Sequence, residues 1–250
     1  MHPVLFRVGS LDISTYGVAL GLAFFFGLLL GTVRARRDGL AVDTAWDLGI
    51  IAIVCGVVGA RLEFIRTHPG YLGDDLSRLF ALRDGGLVFY GGFLGTLLGF
   101  AVYARLKGLR LFALTDMMAP SLSLGHALGR AGCLAAGCCY GRPTDGPWAI
   151  TFPEGSVAPA HVPLIPTQVN EIVANLVIGT LLWTLPRRFP GQRTALLFAL
   201  YGSFRFINEM FRNDDRGQFL GTVLSNAQAT GLAMVLLGFA LWAWGSRAPR

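Results

Sequence analysis

Seven blocks of about 20 mostly apolar residues dominate this chain, and no other feature limits its fold as strongly. They run over 14–33, 45–65, 86–104, 111–133, 167–185, 195–212 and 224–244. As a helix, a block of that length covers the hydrocarbon thickness of a bilayer while satisfying its own backbone hydrogen bonds. The blocks predict an all-α polytopic membrane protein with seven transmembrane helices, a single membrane-embedded domain over residues 1–250. Composition agrees. Hydrophobic residues make up 53% of the chain and charged residues 14%, with a mean hydropathy of +0.55. That excludes disorder and an ordinary soluble domain. The opening MHPVLFRVGSLDIS has no basic run followed at once by a short apolar core and a cleavage site, so it does not read as a cleaved signal peptide. Insertion is then directed by the first span.

The charges orient the spans. Four basic runs follow the first, third, fifth and seventh blocks: Arg34, Arg36 and Arg37; Arg105, Lys107 and Arg110; Arg187, Arg188 and Arg193; Arg247 and Arg250. These eleven of the 21 Lys and Arg residues fall on one side of the drawn topology. The positive-inside rule makes that side cytoplasmic, with the N-terminus outside and the C-terminus inside. The net charge of +6 is thereby assigned to cytoplasmic loops. No aromatic–basic motif or compact basic domain points to nucleic acid. The outer loops 66–85, 134–166 and 213–223 carry Gly, Pro and Asp turn chemistry and are expected to form a small cap.

Ionisable side chains within spans are costly and mark sites. In the sixth span Tyr201, Arg205 and Glu209 are four residues apart and Arg212 follows three later, which stacks them on one helix face. Either Arg205 and Glu209 form a structural pair, or the face is functional; the added tyrosine and second arginine exceed what one neutralised pair needs. In the fourth span His126 lies one turn before Arg130. His126 fits a hydrogen-bonded structural role, or a base if its ring shares the cavity. Arg130 opens GRAGCLAAGCCYGRPTDGPW (Gly129–Trp148), where Gly129 and Gly132 let a lipid head group or another helix approach, and Gly137 and Gly141 keep the wall low. Arg61, near the outer end of the second span, is a third candidate for phosphate, which suits the planar guanidinium fork. Glu63, two residues on, lies on a different face. The third span opens with Gly85, Gly86, Gly91, Gly92 and Gly95 around Tyr90. Tyr90 and Tyr16 each fit an interfacial belt or a site.

Of the four cysteines, Cys55 reads as a small apolar residue. Cys133, Cys138 and Cys139 leave three readings open. One is a disulfide from Cys133 to Cys138 or Cys139, one is free thiols, and one is a zinc site, against which C-x4-C-C lacks the usual C-x2-C pairs.

Several stretches together resemble the prolipoprotein diacylglyceryl transferase family: TYGVALG, LVFYGGFLG, GRAGCLAAGCCYGRPTDGPWAITFP, IPTQVNE and YGSFRFINEMFRNDD, which reach from Tyr16 to Asp215. The resemblance implies seven spans with an outward N-terminus in the bacterial cytoplasmic (inner) membrane. It implies transfer of a diacylglyceryl group from phosphatidylglycerol to the thiol of a lipobox cysteine in a prolipoprotein signal peptide, with release of glycerol phosphate. Arg130 and Arg205 match the family's lipid-binding and catalytic arginines; Tyr201, Glu209 and Tyr16 match its site residues. The family usually has Asn at Cys133, an acidic residue at Cys138 and a histidine at Tyr90. The expected catalytic set is Arg130, Arg205, Glu209, Tyr201 and Tyr90. Substrate is expected at Arg130, Arg205, Tyr16, Gly129, Gly132, Gly141, Arg61 and His126, with membrane lipids as partners and without metal, cofactor or nucleic acid. The mechanism is electrostatic: two arginines hold the phosphate and stabilise its growing charge, with Glu209 orienting Arg205. The rival classes are a membrane thiol–disulfide oxidoreductase using Cys133, Cys138 and Cys139, and a divergent lipid-binding or transport protein. Serine at the three cysteines separates the first rival from the transferase, which keeps its chemistry.

Overall fold

The computed structural model describes residues 4–9, 11–73, 75–81, 85–213, 219 and 222–247. Most of the 213–223 segment expected in a cap, and Arg250 of the last basic run, therefore lie outside the described residues. A short hairpin, β1 (Val4–Val8) and β2 (Leu11–Ser14), leads into seven long helices. These are α1 (Thr15–Arg37), α2 (Val42–Thr67), α3 (Phe89–Leu106), α4 (Leu111–Ala136), α5 (Thr167–Thr184), α6 (Gln192–Glu209) and α7 (Asn226–Arg247), with a 3-10 turn at Leu76–Phe80.

Among the described residues four helices, α1, α2, α3 and α7, are long and apolar enough to cross a membrane. Their large apolar side chains point outward: Phe24, Phe25 and Phe26 of α1, Val54 and Val58 of α2, and Leu236 and Phe239 of α7 are all exposed. Many polar residues of α4, α5 and α6 are inside instead. Ser121, Ser123, Gln168, Glu171, Asn175, Arg205 and Asn208 are buried. A water-soluble bundle shows the opposite arrangement. The chain is a multi-pass helical membrane protein, and α4 to α6 are less apolar because they carry the polar interior.

The chain forms two compact units, 32–114 and the remainder (1–31 with 115–250). In the smaller unit α2 and α3 pack through glycine: a Cβ at Gly92 would lie 3.1 Å from the Gly56 carbonyl oxygen, so backbones meet without intervening side chains. Tyr103 donates to Asp47 at 2.7 Å across the same pair. Arg61 is buried at the outer end of α2. Its Nε donates to Leu79 O at 3.1 Å, its Nη1 to Gly85 O at 2.8 Å and Gly86 O at 3.2 Å, and its Nη2 to Tyr71 Oη at 3.1 Å and to Arg78 O. The guanidinium also lies 4.9 Å from the Tyr71 ring centroid.

In the larger unit α6 and α7 make the tightest pairing. A Cβ at Gly202 would lie 2.6 Å from Gly231 O, and one at Gly231 would lie 2.8 Å from Gly202 O. The start of α6 is fixed by α4. Asp116, fully buried, accepts from Gly191 N at 2.8 Å and Thr194 N at 2.9 Å. It thus satisfies amide groups that α6 cannot satisfy itself. Ala119, Ile178, Leu182 and Leu197 form a core between α4, α5 and α6. After α4 the chain builds a layer of its own on Phe152, Ala158 and Leu164, stitched by short bridges such as Pro143 to Leu164 and Gly141 to Arg212.

Candidate active site

All of the site described next belongs to the larger unit. Its centre is Glu171, one turn into α5, with a side chain fully shielded from solvent. Arg130, in the last turns of α4, brings Nε to 2.6 Å from Glu171 Oε2. Arg205 of α6 brings Nη1 to 4.0 Å from Glu171 Oε1. The two arginines singled out in the sequence thus meet on either side of one carboxylate. Arg205 also pairs through Nη2 with Glu209 Oε2 at 2.8 Å, the i,i+4 contact that the spacing predicts. Arg212 Nε stands 3.8 Å from the same oxygen. Ser225, just before α7, donates to Glu209 Oε1 at 3.2 Å.

Donor geometry separates roles within this cluster. The single Nε hydrogen of Arg130 is aimed at His126 Nε2, 3.0 Å away, so its close approach to Glu171 is an ion pair and not a shared hydrogen bond. The lone pair of His126 Nε2 is taken up by Arg130, which fits the structural alternative for His126. The His126 ring lies 5.3 Å from the Tyr201 ring, so Tyr201 and His126 form one wall beside Arg130. Arg205 Nη1 is buried and has no hydrogen-bond partner among the described residues. A buried guanidinium N–H without an acceptor is uncommon and costly, and carboxylate and phosphate oxygens are the acceptors that a guanidinium suits.

The flanking glycines divide by function. A Cβ on Gly129 would meet nothing within 4 Å, so this side of Arg130 is open. At Gly132 a Cβ would lie 2.7 Å from Ala19 Cβ and 3.3 Å from Tyr16 Cα. Gly132 therefore seats α1 against α4 and brings Tyr16, 41% exposed, to the rim. Gly141 has backbone on both sides, with Ile165 O and Phe211 O each 2.7 Å from a Cβ built there. Its amide donates to Ile165 O at 2.9 Å, and the amide of Arg142 to Phe211 O at 2.9 Å. Arg142 also donates from Nη2 to Met210 O. The strand after the thiols is thus laced between the start of α5 and the end of α6. An apolar hollow of about 260 Å³ opens there, lined by Thr144, Trp148, Ile165, Asn170 and Phe211 among others.

None of the four cysteines is joined in a disulfide. Cys133, Cys138 and Cys139 converge next to the arginines, with Arg130 Nη1 4.0 Å from Cys133 Sγ. Outside the helix, hydrogen bonding from Cys133 and then Cys138, with Arg212 beside it, holds the Cys139 thiol below the usual thiol range. Hydrogen bonding with Cys133 and Cys139, together with burial, pushes Cys138 above it.

Two expected residues lie in the smaller unit. Tyr90 is in the first turn of α3, 47% exposed and in edge contact with Phe89. Arg61 was expected to hold phosphate. Its N–H groups are instead taken by loop carbonyls and Tyr71, so it ties the outer end of α2 to Tyr71, Arg78, Leu79, Gly85 and Gly86. The residue that sequence reasoning missed is Glu171. The signal was a polar stripe: Thr167, Glu171 and Asn175 recur every four residues and are all buried. A stripe of that kind on a membrane helix faces the bundle interior.

The family model for prolipoprotein diacylglyceryl transferase matches residues 3–244. A phosphatidylglycerol–prolipoprotein diacylglyceryl transferase of Bordetella avium is 36% identical, covering 98% of this chain and 95% of the relative. One from Nitrosomonas europaea is 35% identical over 98% of this chain and 90% of the relative. Transferase 2 of the same description from Clostridium perfringens is 32% identical, covering 97% and 94%.

Proposed function

The chain belongs to the prolipoprotein diacylglyceryl transferase family, and from that premise we propose that it moves the diacylglyceryl group of phosphatidylglycerol onto the thiol of a lipobox cysteine in a secreted prolipoprotein, releasing glycerol phosphate. The relatives' names favour this transferase over a thiol–disulfide oxidoreductase.

The observation that carries the catalytic reading is the meeting of Arg130 and Arg205 at Glu171, with Arg205 Nη1 still lacking an acceptor. In this reading a phosphate oxygen accepts from Arg205 Nη1, and Arg130 contacts the same group from the open side at Gly129. Glu171 keeps the two cations at a fixed separation, because like charges this close and this buried need an anion between them. Glu209 orients Arg205. Tyr201 stands beside Arg130 and Tyr16 at the rim, and Tyr90 occupies the position on the third helix where the family usually has a histidine. The acceptor thiolate attacks the glyceryl methylene carbon. The carbon–oxygen bond breaks, and its electron pair passes to the phosphate oxygen. Phosphate charge thereby grows from one to two, and the arginines bind the product-like state more strongly than the lipid, which lowers the barrier.

The same reading assigns seven membrane crossings, an outward N-terminus and a cytoplasmic C-terminus in the bacterial inner membrane. Residues 1–250 act as one domain, and the loops 66–85, 134–166 and 213–223 cap the outer side. The test is direct. The purified chain in lipid nanodiscs with phosphatidylglycerol is given a synthetic lipobox peptide, and the product is weighed by mass spectrometry. Transfer to the cysteine peptide, none to its serine counterpart and none from phosphatidylethanolamine are expected. A folded protein that transfers nothing under these conditions overturns the proposal.

A further inference from the structure

The sulfurs of Cys133, Cys138 and Cys139 all lie within 4.8 Å of one another, and the local backbone is built to hold them there. Cys133 sits near the end of α4. Gly137 then turns the chain back at φ +73°, and Cys139 itself adopts φ +64°. That conformation is uncommon for a residue with a side chain and stores strain. Cys138 N donates to Cys133 O at 3.1 Å, closing the turn. The first turn of α5 clamps it from below: Thr167 Oγ1 donates to Cys139 O at 2.6 Å, and Gln168 Nε2 donates to Cys138 O at 2.7 Å. Thr167 and Gln168 are both fully buried. These bonds fix the main chain that carries the Cys138 and Cys139 sulfurs. A disulfide uses two sulfurs and leaves the third without purpose; a ligand that engages all three accounts for the whole arrangement.

We propose, resting on the transferase reading above, that Cys133, Cys138 and Cys139 hold a zinc-class d10 metal ion as three thiolates, and that its open fourth position takes the thiol of the acceptor cysteine. Tetrahedral zinc places thiolate sulfurs about 3.8 Å apart, given a zinc–sulfur distance of about 2.3 Å. The present trio needs to close by no more than about 1 Å. Three protein ligands with one open position is the arrangement of catalytic rather than structural zinc. Arg130, 4.0 Å from Cys133 Sγ, and Arg212, beside Cys139, flank the trio and offset the negative charge that three thiolates retain around a divalent ion. Because Arg130 also belongs to the phosphate pair, a thiol on the ion stands next to the lipid phosphate. Coordination releases the S–H proton to water. The sulfur's electron pair forms the sulfur–carbon bond, the carbon–oxygen pair leaves with glycerol phosphate, and the thioether dissociates from the ion without any change in oxidation state.

The experiment uses the full chain purified in detergent without chelator, its metal content measured by mass spectrometry, and a cobalt-substituted sample followed by absorbance. About one zinc per chain is expected, falling at least about tenfold in Cys138→Ser and in Cys139→Ser and unchanged in Cys55→Ser, which controls for folding. Cobalt should give a thiolate charge-transfer band, and its visible bands should shift with the cysteine lipobox peptide and not with the serine peptide. Three titratable thiols, or a disulfide, in metal-free protein overturn the site. A bound ion whose spectrum ignores the peptide overturns the open position. Transfer is assayed on the same samples. Metal-free protein that still transfers removes the ion from the reaction and leaves the transferase standing, whereas metal-loaded protein that never transfers counts against the transferase alone.

Discussion

Glu171→Gln removes one charge and almost no volume, at the point where the two arginines meet. The native carboxylate is fully buried, 2.6 Å from Arg130 Nε and 4.0 Å from Arg205 Nη1. With an amide in its place, two guanidiniums face one another with no anion between them. A unit charge pair at about 4 Å is worth about 4 kcal/mol at an effective dielectric of about 20. Removing one partner of a buried pair typically costs about 3–5 kcal/mol. We expect Glu171→Gln to lose about 3 kcal/mol of stability, read as a lower Tm in detergent by tryptophan emission. Glu171 positions the arginines without itself meeting the phosphate, so kcat should fall about 10- to 100-fold while KM for phosphatidylglycerol does not rise. Glu171→Asp, which keeps the charge on a shorter stem, should recover part of both. A Gln variant with parental Tm and parental kcat would refute the role of this carboxylate.

Three further outcomes follow from the packing. Asp116→Ala strips the start of α6 of its acceptor for Gly191 N and Thr194 N and should cost about 2 kcal/mol by thermal unfolding, with kcat per folded molecule unchanged. Gly202→Val forces a side chain against Gly231 O and should destabilise by about 1–3 kcal/mol, read as a lower Tm. Arg61→Ala releases the carbonyls of residues 78, 79, 85 and 86, so limited proteolysis should cut the 71–86 loop faster than in the parent.

Four of the helices were legible because apolar block length reports bilayer thickness directly: the block drawn at 14–33 became α1 at Thr15–Arg37, and that at 45–65 became α2 at Val42–Thr67. Arg205 and Glu209 were legible because one helix face needs only the 3.6-residue repeat. Glu171 was harder, because its partners come from two other helices and only packing reveals them. Arg61 looked like a phosphate ligand because an arginine near a membrane surface suits phosphate, and sequence does not display backbone carbonyls as acceptors. The N-terminal hairpin left a faint trace in alternating FRV and LDI around Gly9, whose φ of +60° makes the turn. The thiol trio was ambiguous by spacing alone, since left-handed Gly137 and Cys139 supply the convergence.

The central claim is that Arg130 and Arg205 act as a unit on one phosphate. Its most direct measurement is kcat for transfer by Arg130→Ala, Arg205→Ala and the double variant, each confirmed to be folded. The account predicts that each single change costs about 10²- to 10³-fold, and that the double variant is hardly worse than either, as for groups that serve one function together. Full activity in either single variant, or losses that simply multiply, would contradict it.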